Sequence, residues 1–367
     1  MSFFAERATA TVDTAALTAN YKAIRTRVSA GRKRPRVIAV VKANAYGHGA
    51  ALVVPALAAA GCSDFAVATA DEALEVKKLA PSARVLVLGY TPPAKAQALA
   101  AAHVTQTVFS YEYAAALSNA LADTPLCVHF KVDGGMCRLG FDAADTVGIL
   151  AAACLPKLLP CGIFTHFPTA DSDPAATAAA LARFTACRRA LTDAGLPLFA
   201  HAAASAAVLT CPAARLDAVR PGIALYGVPP VATDLPLSPV LSLTAPVVQI
   251  HAVPKNTPVG YGGRFVTTRE SRIATVPIGY ADGFFRALSG FTITVFHKKS
   301  RFFCPVVGSV CMDQCMLDVT GTPAEPGDTV LLYDDPRPAA TALGTIPYEI
   351  LTALSARVIR KKKGGGP

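Results

Sequence analysis

The chain has no tryptophan, no CxxC pair and no zinc-type spacing among its ten cysteines. A structural zinc site and a disulfide scaffold are therefore not expected, and the cysteines read as reduced thiols. No basic stretch followed by an apolar segment and a small-residue cleavage site opens the sequence. No export signal is expected, and the protein is expected in the cytoplasm. Long apolar runs are also missing. The most apolar stretch, Ala50–Ala60, contains Pro55 and is too short to span a bilayer, so no membrane partner is expected. No basic stripe interleaved with aromatics is present. The net charge is +10, but four of the positive charges sit in the run Arg360–Lys363, which reads as a solvated end. The remaining balance does not argue for a nucleic-acid partner. It is compatible with an anionic ligand. No GxGxxG follows the first strand-like run, which leaves a Rossmann unit unsupported.

What is present is length and apolar content: 367 residues, of which 52% are hydrophobic, enough for two domains and a large core. Asp13 or Thr14 is placed to cap a helix carrying Leu17, Tyr21 and Ile24 on one face. Eight apolar runs then alternate with helical stretches. The runs are Val37–Val41, Asp64–Ala68, Arg84–Leu88, Val104–Phe109, Leu126–Val132, Cys161–Phe164, Leu198–His201 and Ala218–Val219. Helical stretches include Ala70–Leu79, Tyr111–Leu121 and Pro174–Ala194. This alternation predicts a (β/α)8 barrel, with an open doubly wound sheet as the alternative. A cluster of prolines at Pro229, Pro230, Pro236 and Pro239 marks a boundary near residue 235. Beyond it helical patterns nearly vanish. Strand-like runs at Val240–Val253, Arg272–Ile278, Thr292–His297, Cys304–Val310, Cys315–Val319 and Thr329–Tyr333 predict a mostly-β domain, closed by a helix over Tyr348–Arg360. The predicted fold class is thus α/β: a barrel over residues 1–235, then a mostly-β domain over 236–367.

The chemistry starts at VIAVVKANAYGHG, residues 37–49. A lysine at the mouth of an apolar strand has two readings. It can snorkel outward. It can instead be desolvated, which lowers its pKa and frees the amine to form a Schiff base with an aldehyde such as pyridoxal phosphate. Other polar residues collect at the same strand ends: Lys131, Asp133 and Arg138 after the fifth, His166 after the sixth, His201 and Ser205 after the seventh, Arg220 at the eighth. Each taken singly also has a structural reading, as a hydrogen-bonded core histidine or a rim arginine in a salt bridge. Ser205 and the Gly222–Ile223 backbone lie in the loops where barrels hold phosphate. Lysine anchor, phosphate loops and arginine together suit pyridoxal phosphate. In the second domain Tyr280 stands in a turn after an apolar strand, and Met312 and Asp313 interrupt another. A phenol works as acid or base only where its pKa is lowered by nearby cations.

The blocks VVKANAYGHG, KVDGGMCRLGF, THFPTAD, HAAASAA, VRPGIALYG, VGYGGRF, PIGYADGFFR, CMDQ and GTIPYEIL occur in one order over nearly the whole chain. In that set the sequence resembles the alanine racemase family, fold-type III pyridoxal-phosphate enzymes. The resemblance implies an isomerase that interconverts L- and D-alanine for peptidoglycan. It implies Lys42 as cofactor anchor and base for D-alanine, and Tyr280 of the partner subunit as base for L-alanine. Arg220 would face the pyridine nitrogen. Tyr46, Ser205, Gly222, Ile223 and Tyr348 would hold the phosphate. His166 would link Tyr280 to Arg220. Arg138 and Met312 would bind the substrate carboxylate, with Lys131 positioning Arg138 and Asp313 in support. A homodimer with shared sites follows, with no metal required. Other readings are a serine or broad-specificity racemase, a decarboxylase on a related fold, and a non-catalytic carrier of the cofactor. The sequence departs from the family at Ala204 (usually Asn), Ser309 (usually Arg), Gly134 (Thr), Cys137 (Gly) and Pro168 (Ala).

Overall fold

A computed structural model describes residues 7–30 and 34–364. Strand β1 (Thr9–Val12) comes first, followed by a helix over Thr14–Val28 whose entry is capped by Asp13, which accepts the Ala16 N–H at 2.9 Å. Leu17, Tyr21 and Ile24 are buried along it.

Eight strands then close into a parallel barrel: β2 (Arg36–Val40), β3 (Asp64–Val67), β4 (Arg84–Val87), β5 (Val104–Val108), β6 (Leu126–Lys131), β7 (Leu158–Phe164), β8 (Phe199–Ala204) and β9 (Ala218–Arg220). Closure is made by β2 on β9, with Arg36 opposite Ala218 and Val37 opposite Val219. Most of these strands read as largely apolar runs because barrel interior and helix cover their two faces, whereas β7 is open over its first half, where Leu159 is 45% exposed. Four of the connecting helices start at side-chain caps: Thr69 with Glu72 in a capping box, then Ser110, Asp145 and Asp173. At the amino ends of β2, β3 and β4 the buried Asp64 carboxylate is held by Arg36 and Arg84, the latter at 2.8 Å. An uncompensated carboxylate there would be costly, and the two guanidinium groups remove that cost.

The remaining strands are β10 (Leu241–Pro246), β11 (Gln249–Val253), the short pair β12 (Pro258–Val259) and β13 (Phe265–Val266), β14 (Ser271–Val276), β15 (Thr292–His297), β16 (Ser300–Val307), β17 (Cys315–Asp318), β18 (Thr329–Tyr333) and β19 (Ile359–Lys362). Apart from β12 and β13 they form, with β1, one nine-stranded sheet in the order β11-β14-β17-β16-β15-β18-β10-β1-β19. The chain divides into two compact units. One holds residues 1–16, 46–52 and 239–367, and the other holds 17–45 and 53–238. The sheet unit is thus assembled from three separate pieces of chain, two of them near the amino terminus.

Two predicted elements are corrected. The run Val240–Val253 is two strands, broken at Val247 and Val248. The closing helix covers only Pro347–Thr352, and Ile359–Lys362 is a strand parallel to β1. Ile350, Leu351, Leu354 and Val358 are all buried and follow a helical spacing, which is why periodicity extends the helix too far. Nor is Arg360 part of a solvated end. Its guanidinium donates to the carbonyls of Gly47 (3.0 Å), Leu354 (2.7 Å) and Val358 (2.6 Å). Among the described residues no helix is long and apolar enough to cross a membrane.

Candidate active site

The carboxyl ends of the barrel strands converge on one cluster, the face where barrels of this class carry chemistry. Lys42 lies two residues beyond β2, in a turn whose residues Ala43, Asn44, Ala45 and Tyr46 all have positive φ, +51° to +55°. Left-handed backbone at alanine costs of order 1 kcal/mol or more per residue and persists only where its surroundings enforce it. Glu72 supplies part of that enforcement. One of its carboxylate oxygens accepts the Ala43 N–H at 2.7 Å, and the other accepts the Ala68 N–H at 2.8 Å. Sequence reasoning missed this role, although T-x-x-E at Thr69–Glu72 is a visible capping box.

Lys42 reaches solvent at the open barrel mouth, yet protein crowds its ammonium. Burial lowers its pKa, Arg138 lowers it further and Glu72 opposes them. Lys131, the last residue of β6, is buried and donates to the Leu139 carbonyl. Burial brings its pKa down to about 8 against the pull of Asp133, with Arg138 and Arg220 acting in the same direction as burial. His166, two residues beyond β7, is held at about 3 by burial and by the cations Arg220, Arg138, Lys131 and Lys42. That histidine is neutral at pH 7. The loop 133–140 folds back at Asp133, which accepts the Met136 and Cys137 N–H groups at 3.2 and 3.1 Å. Gly134 packs so closely that a Cβ would stand 2.2 Å from the His166 carbonyl oxygen. The replacement of the usual threonine by Gly134 therefore belongs to this loop's close approach.

Arg220 is buried, and among the described residues it has no carboxylate partner. Its NH1 donates to His201 Nδ1 (2.6 Å) and to the His201 carbonyl (3.0 Å). NH2 donates to the carbonyls of Thr165 (2.6 Å) and Ala202 (3.0 Å). Among the described residues these acceptors account for both terminal nitrogens, and Nε–H is the donor none of them takes. Burial pushes the guanidinium down to about 9, so it remains charged at neutral pH. An arginine has no acceptor, so His201 Nδ1 must accept and Nε2 must carry the proton. His201 Nε2 then donates to His129 Nδ1 at 2.9 Å. His201 and His129 were not among the predicted site residues. The signal for His201 was its place after the seventh strand, and His129 gave none.

This buried chain has a consequence for stability. Burial with Arg36 and Arg220 nearby holds His129 at about 3, and burial with Arg220, His129 and Arg36 holds His201 well below its ordinary value. In the unfolded chain both bind a proton near pH 6.5; in the native protein they do not. Stability is therefore intact above pH 6.5 and is lost as pH falls toward 3, by about 2 kcal/mol at pH 5 from His129, with His201 acting in the same direction. Urea titrations at pH 7.5 and pH 5 are expected to show a marked drop in midpoint. Equal midpoints would mean that these histidines are protonated in the native state.

Ser205 begins the short helix after β8, and its hydroxyl oxygen accepts the N–H groups of Gly222 (2.9 Å) and Ala224 (3.3 Å). The loops after β8 and β9 are thereby tied together. The first N–H groups of the turns Ser205–Thr210 and Ile223–Tyr226 have no partner within those turns. Ala204 at the first turn's entry offers no capping side chain. Among the described residues, then, Lys42, Lys131, Arg138, His166, Ser205, Arg220, Gly222 and Ile223 fall on one face of one barrel.

The other predicted residues lie in the sheet unit. Tyr280 starts a turn after β14, 43% exposed. Its N–H donates to the Cys311 carbonyl and that of Ala281 to the Met312 carbonyl, both at 3.0 Å. Gly279 is required there, because a Cβ would stand 2.3 to 2.5 Å from those carbonyls. The turn is locked by buried Asp282, which accepts the Gly279 N–H at 2.9 Å and pairs with Arg357 at 3.1 Å. Arg357 also pairs with Asp313 at 2.6 Å, so one guanidinium binds the Tyr280 turn to the Met312–Asp313 turn. Tyr280, Met312 and Asp313 line one cavity with Arg286, Ser309 and Tyr261. Cys311 lies in the loop between β16 and β17. Tyr46 and Tyr348 face each other at 6.0 Å between ring centroids, and burial raises the Tyr46 phenol.

Residues 12–230 match the family model of the alanine racemase N-terminal domain, and 240–362 match the C-terminal domain. An alanine racemase of Desulfovibrio desulfuricans is 41% identical over 334 residues, covering 88% of this chain and 89% of the relative. One from Clostridium perfringens is 38% identical, covering 96% of this chain and 94% of the relative. Among solved structures, alanine racemase from Bacillus anthracis with bound L-Ala-P superposes with a TM-score of 0.89 at 34% identity, covering 97% of this chain and 94% of that one. Alanine racemase from Bartonella henselae with covalently bound pyridoxal phosphate gives 0.85 at 33% identity, covering 98% and 100%. Barrel, sheet domain and sequence agree, and the chain belongs to the alanine racemase family.

Proposed function

We propose that the protein interconverts L- and D-alanine by two bases on opposite faces of the substrate, with pyridoxal phosphate as cofactor. The observation that carries the reading is the barrel-face cluster: a lysine with a lowered pKa beside Arg138, Lys131, neutral His166 and a buried Arg220. The donor set fits the cofactor. Lys42 offers an amine to an aldehyde, Arg220 keeps Nε–H for a ring nitrogen, and the Ser205 hydroxyl hydrogen and the Ile223 N–H are donors for phosphate, with Gly222, its own N–H held by Ser205 Oγ, shaping the loop beside them. Tyr46 and Tyr348 are assigned to the same phosphate. When bound, pyridoxal phosphate supplies an aldehyde for the substrate amine and an electron sink that acidifies the Cα–H.

The rest is done by this chain's side chains. Lys42 Nζ takes or returns the proton on the face of D-alanine, and burial shifts it toward the neutral form that accepts a proton. Tyr280 of the partner subunit takes or returns the proton on the other face. Arg220 stays protonated because guanidinium is a very weak acid, so it donates a hydrogen bond without giving up the proton. That limits electron build-up at the ring nitrogen and the side reactions that follow. His166, neutral, can both donate and accept, which suits a link between Tyr280 and Arg220. Arg138 and the Met312 backbone take the substrate carboxylate, Lys131 positions Arg138 and Asp313 holds the Met312 turn. A site shared in this way makes a twofold homodimer obligatory. The ten unpaired cysteines fit a reducing cytoplasm, where the D-alanine would feed peptidoglycan.

A second reading, a broader racemase that also takes serine, is favoured by one observation. Ser309, where the family usually has arginine, lines the Tyr280 cavity and leaves it less crowded. The test is a single sample of purified protein. A visible absorption band of bound cofactor with rapid conversion of L-alanine, and slower conversion of L-serine, is the expected result. A coloured protein that converts neither substrate would overturn the racemase reading, and a protein that never takes up the cofactor would overturn the role of Lys42.

A further inference from the structure

The fifteen residues Lys22–Arg36, reading KAIRTRVSAGRKRPR, carry seven positive charges and no carboxylate. Part of this has a structural explanation. Arg25 and Arg27 stand in the last turn of the helix Thr14–Val28, where cations meet the negative end of the helix dipole. Arg27 is also paired with Asp234 at 2.7 Å. Arg36 is paired with buried Asp64, which Arg84 holds as well at 2.8 Å. Lys22, Arg25 and Arg34 are different. Among the described residues none of the three has a carboxylate partner, yet all three line one cavity. Like charges gathered in this way repel one another, and only an anion removes that cost.

We propose that this cavity is a binding site for a small oligophosphate, held by Lys22, Arg25 and Arg34 with Arg36 beside them. It has a volume of about 770 Å³ and lies at the amino ends of β2 and β3, against the end of the helix Thr14–Val28. That is the end of the barrel away from Lys42. Four cations line it against one carboxylate, Asp64, whose charge Arg36 and Arg84 already meet. A cleft lined by one sign of charge focuses its field and concentrates the opposite ion. Three unpaired cations match an anion of three or more charges. The volume is that of a small-molecule site and exceeds what a single phosphate fills. Guanidinium groups grip phosphate oxygens in pairs, and a lysine adds a mobile point charge. Gly61 keeps the wall open at Arg25: a Cβ there would stand 3.3 Å from the Arg25 NH1. Tyr21, the aromatic ring in the lining, is 3% exposed, so it offers no open face to a stacking base. The cations converge on a hollow and are not spread along a stripe, which favours a compact anion over a nucleic-acid strand.

Other cavities lack this balance. The one beside β10 is lined by Asp13, Asp334 and Asp335 with a single cation, Lys363, which is itself paired with Asp13 at 2.8 Å. The Tyr280 cavity has one cation, Arg286, and one carboxylate, Asp313.

The experiment is a calorimetric titration of sodium triphosphate into the holoenzyme at pH 7.5 without divalent cations. Bound pyridoxal phosphate keeps the loops after β8 and β9 closed to the probe. The expected result is one triphosphate per chain, bound at least about tenfold tighter than sulfate and weakened by added salt. ATP titrated in parallel separates two sources of the same chemistry. Equal affinity assigns the site to the phosphate chain alone, and tighter ATP assigns it to a nucleotide. Replacing Arg25→Gln and Arg34→Gln together is expected to weaken triphosphate binding by about tenfold or more, the size of one lost charge-assisted hydrogen bond. Both side chains are exposed, so the melting temperature without ligand stays at the wild-type value. Lys298→Gln with Lys299→Gln removes the same charge from the exposed turn between β15 and β16 and leaves binding unchanged. Equal weakening by both double variants would mean a response to net charge alone and would overturn the proposal. So would a holoenzyme that binds no triphosphate, including one that binds a DNA duplex through Arg25 and Arg34 instead.

Discussion

Tyr280→Phe is expected to lower racemisation by about 10³-fold, within the range that removal of a positioned general base produces. The change deletes one hydroxyl. The contacts that hold the turn are made by backbone groups and by Asp282, not by the phenol, so fold and cofactor absorbance are expected to stay unchanged. The two faces of the substrate are expected to respond differently. With Lys42 intact, D-alanine incubated in deuterated water still exchanges its α-hydrogen. L-alanine, whose proton faces the tyrosine in the proposed arrangement, is expected not to. Loss of exchange from both enantiomers to the same degree would show that the tyrosine is not a face-specific base. Unchanged turnover would remove it from the chemistry altogether.

Lys42→Ala is expected to abolish turnover, since it deletes both the cofactor's covalent anchor and one base. The sharper result comes from mixing. Inactive Lys42→Ala chains and inactive Tyr280→Phe chains, unfolded and refolded together, form mixed dimers. If each site takes its lysine from one protomer and its tyrosine from the other, a mixed dimer has one site with both groups intact and one with neither. Random pairing makes half of the dimers mixed, so about a quarter of the wild-type activity should return. If lysine and tyrosine act within a single chain, every site in the mixture lacks one group and no activity returns. Sedimentation of each parent as a dimer guards against failed assembly.

Much of this protein is legible from local pattern. Apolar runs with helical connections identify all eight barrel strands, six of them to within a residue at either end and two, β7 and β8, with one end three residues off, because a strand covered on both faces has little use for polar residues. The boundary prolines and the loss of helical periodicity announce the sheet domain. Lys42, Arg138, His166 and Arg220 stand out because a charged residue at the end of an apolar run is conspicuous, and the family blocks attach roles to them.

Where sequence neighbours mislead, distant parts of the chain make the decision. Residues 347–362 carry one helical-looking pattern. Pairing of Ile359–Lys362 with β1, some 350 residues away, turns the second half into a strand, because sheet hydrogen bonds are made with whatever edge is present. The environment of Arg220 is likewise tertiary. Three carbonyls from two strand ends and the His201 ring satisfy its terminal nitrogens, and no linear motif encodes that arrangement. The His129–His201 link depends on register. A single extra residue in β7 decides which side chains meet. Residue types and spacing determined the barrel, the sheet domain and the family, since burial and periodicity are local properties of a chain. Only the folded structure decided protonation states, hydrogen-bond partners and the bulge. Those depend on distances between residues far apart in sequence, and on how much water the fold leaves beside each charge.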